Sequence, residues 1–443
     1  MNSTRKTLLA GAALSVIMST SAMAAEKLVV VTSFPNTLTT PFEAGFEAMY
    51  PDIDVEVINK STSSAVKYIQ ETASSNTTDL FWASAPDAFE VLKGDNLLVK
   101  SGVSNAKIPS DVGGYPINDP DGFYNGFAAA GYGIMYNERY LAAKGLKPAL
   151  QWDDLAKAEY FGHVGMSAPS RSGTTHLTVE TLIQGDGWEE GWAKWKFISG
   201  NFSNVTERSF GVPDGVNSGQ FGLGIVIDFF GLASRASGFP VDFVYPQTTA
   251  IVPANVGIIA NAPNEDAAQA FISYLLSVEG QELLMLPDIR RLPVNADAYF
   301  NAPEGFPNPF DGSIKASVSF DVNKSGERYN VVNSLFDVMI TYRLDDLRAA
   351  VRAVQLAEEK LGDSDNAQAK ALIAEARALI AEMPIDEAKS LDPDFAAVFK
   401  SKRKAATDVI EGRQAEIEQQ WDEQVVANYK RATELANEAA SLL

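Results

Sequence analysis

From Glu26 onward, short apolar segments alternate with amphipathic ones, and this alternation most constrains the fold. The apolar segments are predicted strands at 26–32, 55–58 and 79–82. Segments with helical periodicity follow them, at 40–49, 65–73 and 88–92. Because unbroken apolar runs indicate burial on both faces, as in a parallel sheet, the pattern predicts an α/β domain. Ligands of such domains bind beyond the carboxyl ends of the strands.

The first 24 residues have the composition of an export signal. Arg5 and Lys6 precede an apolar run from Leu8 to Met18, and the stretch ends in Ala22-Met23-Ala24. A basic start, a short apolar run and small residues at the end are the features of a secretory signal peptide. The run is too short to span a bilayer. We therefore expect cleavage after Ala24, location in the periplasm and no direct insertion into the membrane.

Composition excludes several kinds of chemistry. The chain has no cysteine, which rules out disulfides, thiolate catalysis and cysteine-based zinc sites. It has only two histidines, His163 and His176, and the second is predicted to lie on a helix surface. The net charge is −21, and such a surface disfavours nucleic acids and anionic membranes as partners. We expect no bound metal and no cofactor.

A stretch crowded with hydroxyl groups, at 168–176, lies between a predicted strand end and a predicted helix. The N-terminus of a helix has unpaired N–H groups and a partial positive charge, and both favour an anion. The glycine of the stretch permits close approach of the backbone to a ligand. The alternative is an ordinary N-cap, because serine and threonine are preferred there. The candidate ligand-binding residues of this stretch are Ser170, Ser172, Gly173, Thr174 and Thr175.

Further candidate residues follow other predicted strands. Ser33 and Thr37 come after the first strand, and Ser61 lies in a hydroxyl-rich turn after the second. Asp228 ends a predicted buried strand at 222–228. Ser61 and Asp228 either contact a ligand or cap the helices that follow them. For Asp228 the ligand role is favoured, because an unpaired carboxylate in apolar surroundings is costly.

No catalytic signature is recognisable in the chain. It contains no G-x-S-x-G elbow, no P-loop and no H-E-x-x-H motif. A glycosidase needs two suitably spaced carboxylates, and the sequence alone leaves that class open. The lack of a nucleophile and base in any known pattern favours binding without turnover, so we expect no enzyme activity.

The composition changes near Asn330, after which Ala, Glu, Lys, Leu and Arg dominate. Helices are predicted at 334–361, 367–382 and 393–442, with a glycine or proline at the stops. Apolar residues from Phe399 to Leu435 form a stripe along the last of them. We expect this stripe to pack on the same chain rather than on a coiled-coil partner, and we expect a monomer.

Several stretches in this order are typical of one family. They are Val31-Thr32-Ser33-Phe34, Gly131 to Asn137, Pro169 to Thr174, Val256 to Ile259, Asn264 to Phe271 and, most specifically, Leu275 to Gln281. With them the chain resembles the type II periplasmic solute-binding proteins of ABC importers, and more narrowly the group that binds ferric iron, phosphonates and sugar phosphates. The resemblance covers residues 26–330 and leaves out the C-terminal helices.

The resemblance implies a two-lobed α/β fold with hinge-linked mixed sheets, to which this chain adds a C-terminal all-α extension. Lobe 1 is expected to comprise residues 25–126 and 254–330, and lobe 2 residues 127–253. The extension is then 331–443. The resemblance further implies that the lobes close on a ligand and present it to an inner-membrane ABC permease.

The resemblance also implies a class of ligand. Relatives that bind ferric iron have adjacent tyrosines where this chain has Phe229-Phe230, and phenyl rings cannot ligate iron. Relatives that bind phosphorylated solutes use hydroxyl groups and helix N-termini for the phosphoryl group, and a carboxylate near Asp228 for hydroxyl or amine groups. The expected partner is thus a small phosphorylated organic anion: a phosphonate, a sugar phosphate or a phosphoglycerate. The alternatives are ferric iron, held by Tyr245, carboxylates and a synergistic anion, and a sensory or regulatory role.

Overall fold

A computed structural model describes residues 26–312, 314–400 and 408–443, so the predicted signal peptide lies outside the described residues. The strands in this part of the chain are β1 (Glu26–Thr32), β2 (Ile53–Asn59), β3 (Leu80–Ala83), β4 (Leu98–Val99), β5 (Asp111–Val112), β6 (Tyr115–Pro116), β7 (Tyr124–Asn137), β8 (Val164–Ser167), β9 (Phe202–Thr206), β10 (Leu223–Ile227), β11 (Val241–Val244), β12 (Ile251–Ile259) and β13 (Leu292–Pro293).

The α-helices of the described residues fall into two groups, ten between the strands and seven after them. The first ten are α1 (Asn36–Met49), α2 (Thr62–Thr72), α3 (Pro86–Gly94), α4 (Glu138–Lys144), α5 (Gly173–Asp186), α6 (Trp188–Ser199), α7 (Gly211–Ser218), α8 (Asp228–Ala236), α9 (Glu265–Leu275) and α10 (Val278–Leu283). The others are α11 (Val322–Glu327), α12 (Tyr329–Phe336), α13 (Leu344–Leu361), α14 (Ala367–Ala381), α15 (Glu387–Ser390), α16 (Pro393–Ala396) and α17 (Arg413–Ser441).

One long strand, β7, belongs to both halves of the sheet. Its residues 124–131 pair with β12, and its residues 132–136 pair with β10. On the first side the order is β2-β1-β3-β12-β7, and on the second it is β7-β10-β8-β9. We call the halves, with the helices that follow their strands, lobe 1 and lobe 2. The predicted two-lobed α/β fold is confirmed, and the predicted residue limits of the lobes stay predictions.

The strand ends explain where a cleft can form. In lobe 1, β1 pairs in parallel with β2 and β3, as predicted. The end of β3 at Ala83 pairs with Asn255 in the middle of β12, and β3 runs toward the start of β12, where Ile251 lies opposite Gly131 in the middle of β7. In lobe 2, the end of β10 at Ile227 also pairs at the middle of β7, opposite Tyr132. The carboxyl ends of both sets of strands therefore face the junction of the lobes.

The C-terminal helices pack on lobe 2, in agreement with the expected layer on the same chain. Buried tryptophans of α6 share one apolar core with α13, α14 and α17; among its members are Trp192, Trp195, Val351, Ile373 and Tyr429. The tryptophans of α6 are at most 2% exposed. None of the helices in the described ranges combines the length and apolar character that crossing a bilayer requires.

Two of the predicted C-terminal helices are wrong in extent. A π-helical turn at Asp337–Thr341 interrupts the predicted helix 334–361, so α13 begins only at Leu344. The predicted helix 393–442 is not continuous either, since α16 ends at Ala396 and α17 begins at Arg413. The chain between them lets Phe399 stack on Trp421 with ring centroids 5.3 Å apart. Residues 401–407 of the predicted helix lie outside the described ranges.

Candidate functional site

A cleft lies at the junction of the lobes, and both lobes line it. Its cavity volume is about 30 Å³, so the lobes leave little free space between them in this arrangement. Its lining residues are Ser33, Phe34, Pro35, Ser61, Thr62, Ser84 and Arg291 from lobe 1 and Arg171, Ser172, Thr174, Arg208, Ser209, Phe210, Phe229 and Phe230 from lobe 2. Apart from three arginines these side chains are hydroxyl-bearing or apolar, and no carboxylate is among them in the described part of the chain.

Four helices begin at this cleft. The residues that precede α1, α2, α5 and α7 are Pro35, Ser61, Ser172 and Phe210, and all four line it. The first N–H groups of a helix have no partner within the helix, and the helix dipole adds a partial positive charge there. Several N-termini pointed at one space favour an anion in that space.

Ser172 both caps a helix and lines the cleft. Its Oγ accepts a hydrogen bond from the backbone N–H of Thr175 at 3.3 Å and lies 2.9 Å from Oγ1 of Thr174. Ser61 does the same for α2, with its Oγ accepting from the N–H of Ser64 at 3.4 Å. The cap and the candidate ligand contact are thus not alternatives at these two positions, because one hydroxyl group can serve both.

Arg291 is a buried cation without a direct counter-ion. Its side chain is 2% exposed, and Nη1 donates to Oγ of Ser84 at 2.9 Å. The guanidinium carbon lies 3.5 Å from the ring centre of Phe229 and 4.5 Å from that of Phe34. Nε has no partner, and no carboxylate of the described residues forms a salt bridge with the guanidinium. Burial lowers the pKa of Arg291 to about 9, although the negative charge of Asp228, which forms no salt bridge with it, opposes the shift.

Two more arginines reach the cleft from lobe 2. Arg208 packs over the ring of Phe210 at 4.7 Å, and neither a hydrogen bond nor an ion pair of its guanidinium is found within the described ranges. Burial lowers the pKa of Arg208. Arg171 forms a 3.3 Å ion pair with Glu207, whose side chain is 77% exposed. The cleft therefore has a clear excess of positive charge, inside a protein of strongly negative net charge.

Asp228 is fully buried behind the cleft rather than on its lining. Its Oδ2 accepts from the N–H of Gly131 and the hydroxyl of Tyr245, both at 2.8 Å. Its Oδ1 accepts from the N–H of Phe229 at 2.7 Å. Burial raises the pKa of Asp228 to about 6. The carboxylate supports the segment that carries Phe229, while direct ligand contact stays a prediction.

The other predicted site residues divide into two groups. Ser33, Ser61, Ser172 and Thr174 line the cleft, and Thr37, Ser170, Gly173 and Thr175 do not. Thr37 is exposed on α1, and Ser170 and Thr175 are buried beside the cleft.

Sequence reasoning missed Ser84, Arg208 and Arg291 in the cleft. No local signal marks Arg291, since it lies in the turn before β13, far along the chain from every other lining residue. Arg208 follows a strand end, and a cation at that position, near a helix start, could have suggested it.

The lobes are in contact beside the cleft. Ser63 of α2 donates from Oγ to the backbone oxygen of Ser170 at 3.0 Å. Gly173, the first residue of α5, packs so closely that an added Cβ would lie 2.7 Å from Cβ of Ala85 and 2.9 Å from Oγ1 of Thr62. The glycine thus permits close approach of lobe 1, whereas the sequence suggested close approach of a ligand.

The predicted position of His176 on a helix surface is wrong. The side chain is fully buried, and Nδ1 lies 2.8 Å from Oδ1 of Asn333. Lobe 1 and the C-terminal helices together cover this face of α5, which leaves no solvent-facing surface there.

Comparison with known proteins identifies similar sequences and folds. Residues 75–310 match the family described as bacterial extracellular solute-binding protein. The chain is 31% identical over 393 residues to the phosphoglycerate transport regulatory protein PgtC of Salmonella typhimurium, an alignment that covers 87% of this chain and 92% of that protein. The periplasmic binding protein AfuA of Actinobacillus pleuropneumoniae, with fructose-6-phosphate bound, superposes with a TM-score of 0.63 at 21% identity, over 70% of this chain and 98% of AfuA. Iron-bound HitA of Pseudomonas aeruginosa gives a TM-score of 0.59 at 14% identity, with coverage of 70% and 98%.

Proposed function

We propose that this chain, which belongs to the family of bacterial extracellular solute-binding proteins, captures a small phosphoryl-bearing organic anion between its lobes. Members of the family are non-enzymatic components of transport systems, so the chain is a periplasmic binding protein of an ABC importer and not an enzyme. The observation that carries the ligand class is Arg291. A buried guanidinium without a counter-ion is costly unless an anion neutralises it.

Within that class, a phosphorylated carboxylic acid suits the cleft best. Arg208 and Arg291 form no ion pair within the described ranges, and Arg171 shares its charge with the exposed Glu207, so the cleft can receive more than one anionic group. The lining offers hydroxyl groups but no carboxylate or amide acceptor among the described residues. Two anionic groups on one small ligand match this arrangement. PgtC, which aligns with most of this chain, is named as a phosphoglycerate transport regulatory protein, and that name supports the same class.

Ferric iron receives less support. The rings of Phe229 and Phe230 line the cleft and cannot ligate iron. The hydroxyl group of Tyr245, the tyrosine considered as an iron ligand, donates a hydrogen bond to Asp228. In the described ranges, no group of three His, Asp or Glu side chains is arranged to hold a metal ion.

A regulatory role is the second candidate. The alignment with PgtC covers 87% of this chain and leaves about 58 residues unmatched, fewer than the 113 residues that follow Asn330. It therefore reaches into the C-terminal helices. A regulatory role predicts that deleting the chromosomal gene abolishes a transcriptional response to the solute, whereas a purely transport role predicts loss of uptake alone.

A ligand panel tests the proposed function. We expect 3-phosphoglycerate to raise the melting temperature of the purified protein most, above glucose 6-phosphate, aminoethylphosphonate and inorganic phosphate. Ferric citrate and unphosphorylated glycerate should have no effect. A ligand at a hundred times its Kd adds about 2.7 kcal/mol of stability, a shift that is easily measured. A rise with ferric citrate alone, or none with any phosphorylated compound, would contradict the proposal.

The hydroxyl groups at the start of α5 provide a second test. Ser172→Ala combined with Thr174→Ala should weaken 3-phosphoglycerate binding by about 2 to 4 kcal/mol, since two donors to a charged group are lost. The same change removes an N-cap and should cost about 1 kcal/mol of stability.

Ser277→Ala is the matched control for that pair. Ser277 caps α10, where its Oγ accepts from the N–H of Gly280 at 3.1 Å, and it does not line the cleft. It should lower stability by a similar amount and leave the calorimetric affinity unchanged. Equal affinities in the Ser172/Thr174 variant and the wild type would remove the start of α5 from the site.

A further inference from the structure

A buried polar cluster joins both lobes to the helices that follow the sheet. Nε2 of His176, a residue of α5, lies 3.2 Å from Oδ2 of Asp87, a residue of α3 in lobe 1. Ser325 of α11 donates from Oγ to the same carboxylate oxygen at 3.0 Å and lies 3.2 Å from His176 Nε2. Asp87, His176 and Ser325 are all fully buried. The cluster is thus built from three parts of the chain that are distant in sequence.

Helix α5 is attached to the C-terminal region at further points. The ring of Tyr329 lies over His176 with centroids 4.3 Å apart. One turn further along α5, Glu180 accepts two hydrogen bonds from Arg328, at 2.8 Å each, and this pair is fully buried. Arg328 also reaches Glu387 of α15 at 2.9 Å. The shared core with α6 adds apolar contacts to these polar ones. The C-terminal helices are therefore fixed to lobe 2.

Asp87 comes from lobe 1 and His176 from lobe 2, and α11 packs mainly on α3 beside Asp87, so Ser325 lies between the two lobes. If the lobes separate, the carboxylate of Asp87 must leave His176, and Ser325 must lose either Asp87 or His176. The same movement withdraws lobe 1 from the start of α5, where Ser172 and Thr174 line the cleft about one turn before His176. Opening of the cleft and loss of the contact between Asp87 and His176 are then one event.

We propose that α11 is a clasp, defined by Ser325 and its contacts to Asp87 and His176, which favours closure of the cleft and couples the C-terminal helices to it. Asp87, His176 and Ser325 are positioning residues, since they act on the ligand site through α5. Burial raises the pKa of Asp87 to about 6, even though His176 opposes the rise. Loss of the Ser325 hydrogen bond therefore leaves a carboxylate that is poorly compensated in the closed arrangement. Coupling is reciprocal, so a factor that pulls α11 away also weakens ligand binding.

Distance measurements between the lobes test the clasp. The chain has no cysteine, so Lys67→Cys on α2 and Asp214→Cys on α7, both at exposed positions, accept one spin label each. In the ligand-free full-length protein, we expect Ser325→Ala to lower the ratio of short to long inter-lobe distances about 2- to 10-fold, as for loss of one hydrogen bond. Asp87→Asn should change it in the same direction.

Ser334→Ala is the matched control. Ser334 lies on α12 and donates to Glu418 of α17 at 2.7 Å, a contact within the C-terminal helices. It should leave the distance ratio unchanged. The reference is the doubly labelled protein with no further substitution. The clasp is overturned if Ser325→Ala keeps the reference ratio, if Ser334→Ala lowers it equally, or if the reference protein has only long distances. Since no ligand is added, the outcome is independent of the proposed function, whose failure would appear as absent heat on titration with 3-phosphoglycerate.

Discussion

Arg291→Met should reduce the affinity for 3-phosphoglycerate by two to four orders of magnitude. The guanidinium is buried at the cleft, and Nε has no protein partner among the described residues. Charge-assisted hydrogen bonds contribute about 1.5 to 3 kcal/mol each. Loss of two of them corresponds to about 3 to 6 kcal/mol. Isothermal titration calorimetry with wild-type and variant protein measures the difference.

The stability of the ligand-free Arg291→Met variant should not fall together with its affinity. Arg291 loses only the hydrogen bond to Ser84 and its aromatic contacts when it becomes methionine. In return, the desolvation cost of the buried guanidinium is removed, which offsets the favourable charge interaction with Asp228 that is also lost. We expect the ligand-free melting temperature to stay the same or rise while binding is lost. A fall in both would indicate a structural role and contradict the assignment.

Arg290→Met is the control for this position. Arg290 adjoins Arg291 in the chain, but its guanidinium lies over Phe306, 5.5 Å from the ring centre, and it does not line the cleft. The same change of residue type at this neighbour should leave the affinity within a factor of two to three. A comparable loss at both positions would mean that general electrostatics, rather than contact in the cleft, governs binding.

Local patterns in the sequence predicted the parts of the fold and site that depend on local structure. The run at 26–32 became β1 with the predicted limits. Ser61 and Ser172 follow strands and cap helices, and helix starts in an α/β fold lie beside the strand ends that form a cleft. Their positions in the cleft therefore follow from neighbouring residues alone.

Features that depend on distant segments could not be predicted in this way. Arg291 acquires its surroundings from Phe34, Ser84 and Phe229, three residues from three separate segments. His176 is buried because lobe 1 and the C-terminal helices cover α5 from two sides. The sequence of α5 contains no signal of those neighbours. A histidine among threonines therefore led to the prediction of an exposed position on the helix surface.

The second large effect is expected at Gly173, where lobe 1 approaches the start of α5. Gly173→Ala adds a Cβ that would lie 2.7 Å from Cβ of Ala85 and 2.9 Å from Oγ1 of Thr62. Neither atom is the end of a flexible side chain, so the lobes must separate slightly. Overpacking of this kind costs about 1 to 3 kcal/mol. Since the cost applies only when the lobes are closed, the affinity for 3-phosphoglycerate should fall about 5- to 150-fold.

A fall in affinity at Gly173 cannot be attributed to a weaker helix, because alanine has the higher helix propensity. Gly94→Ala supplies the matched control: Gly94 ends α3 in lobe 1, and an added Cβ there meets nothing within 4 Å. It should leave affinity unchanged. Small-angle scattering adds a direct readout, since Gly173→Ala with saturating 3-phosphoglycerate should keep a larger radius of gyration than the wild type. If the variant closed and bound like the wild type, close approach at Gly173 would have no part in ligand capture.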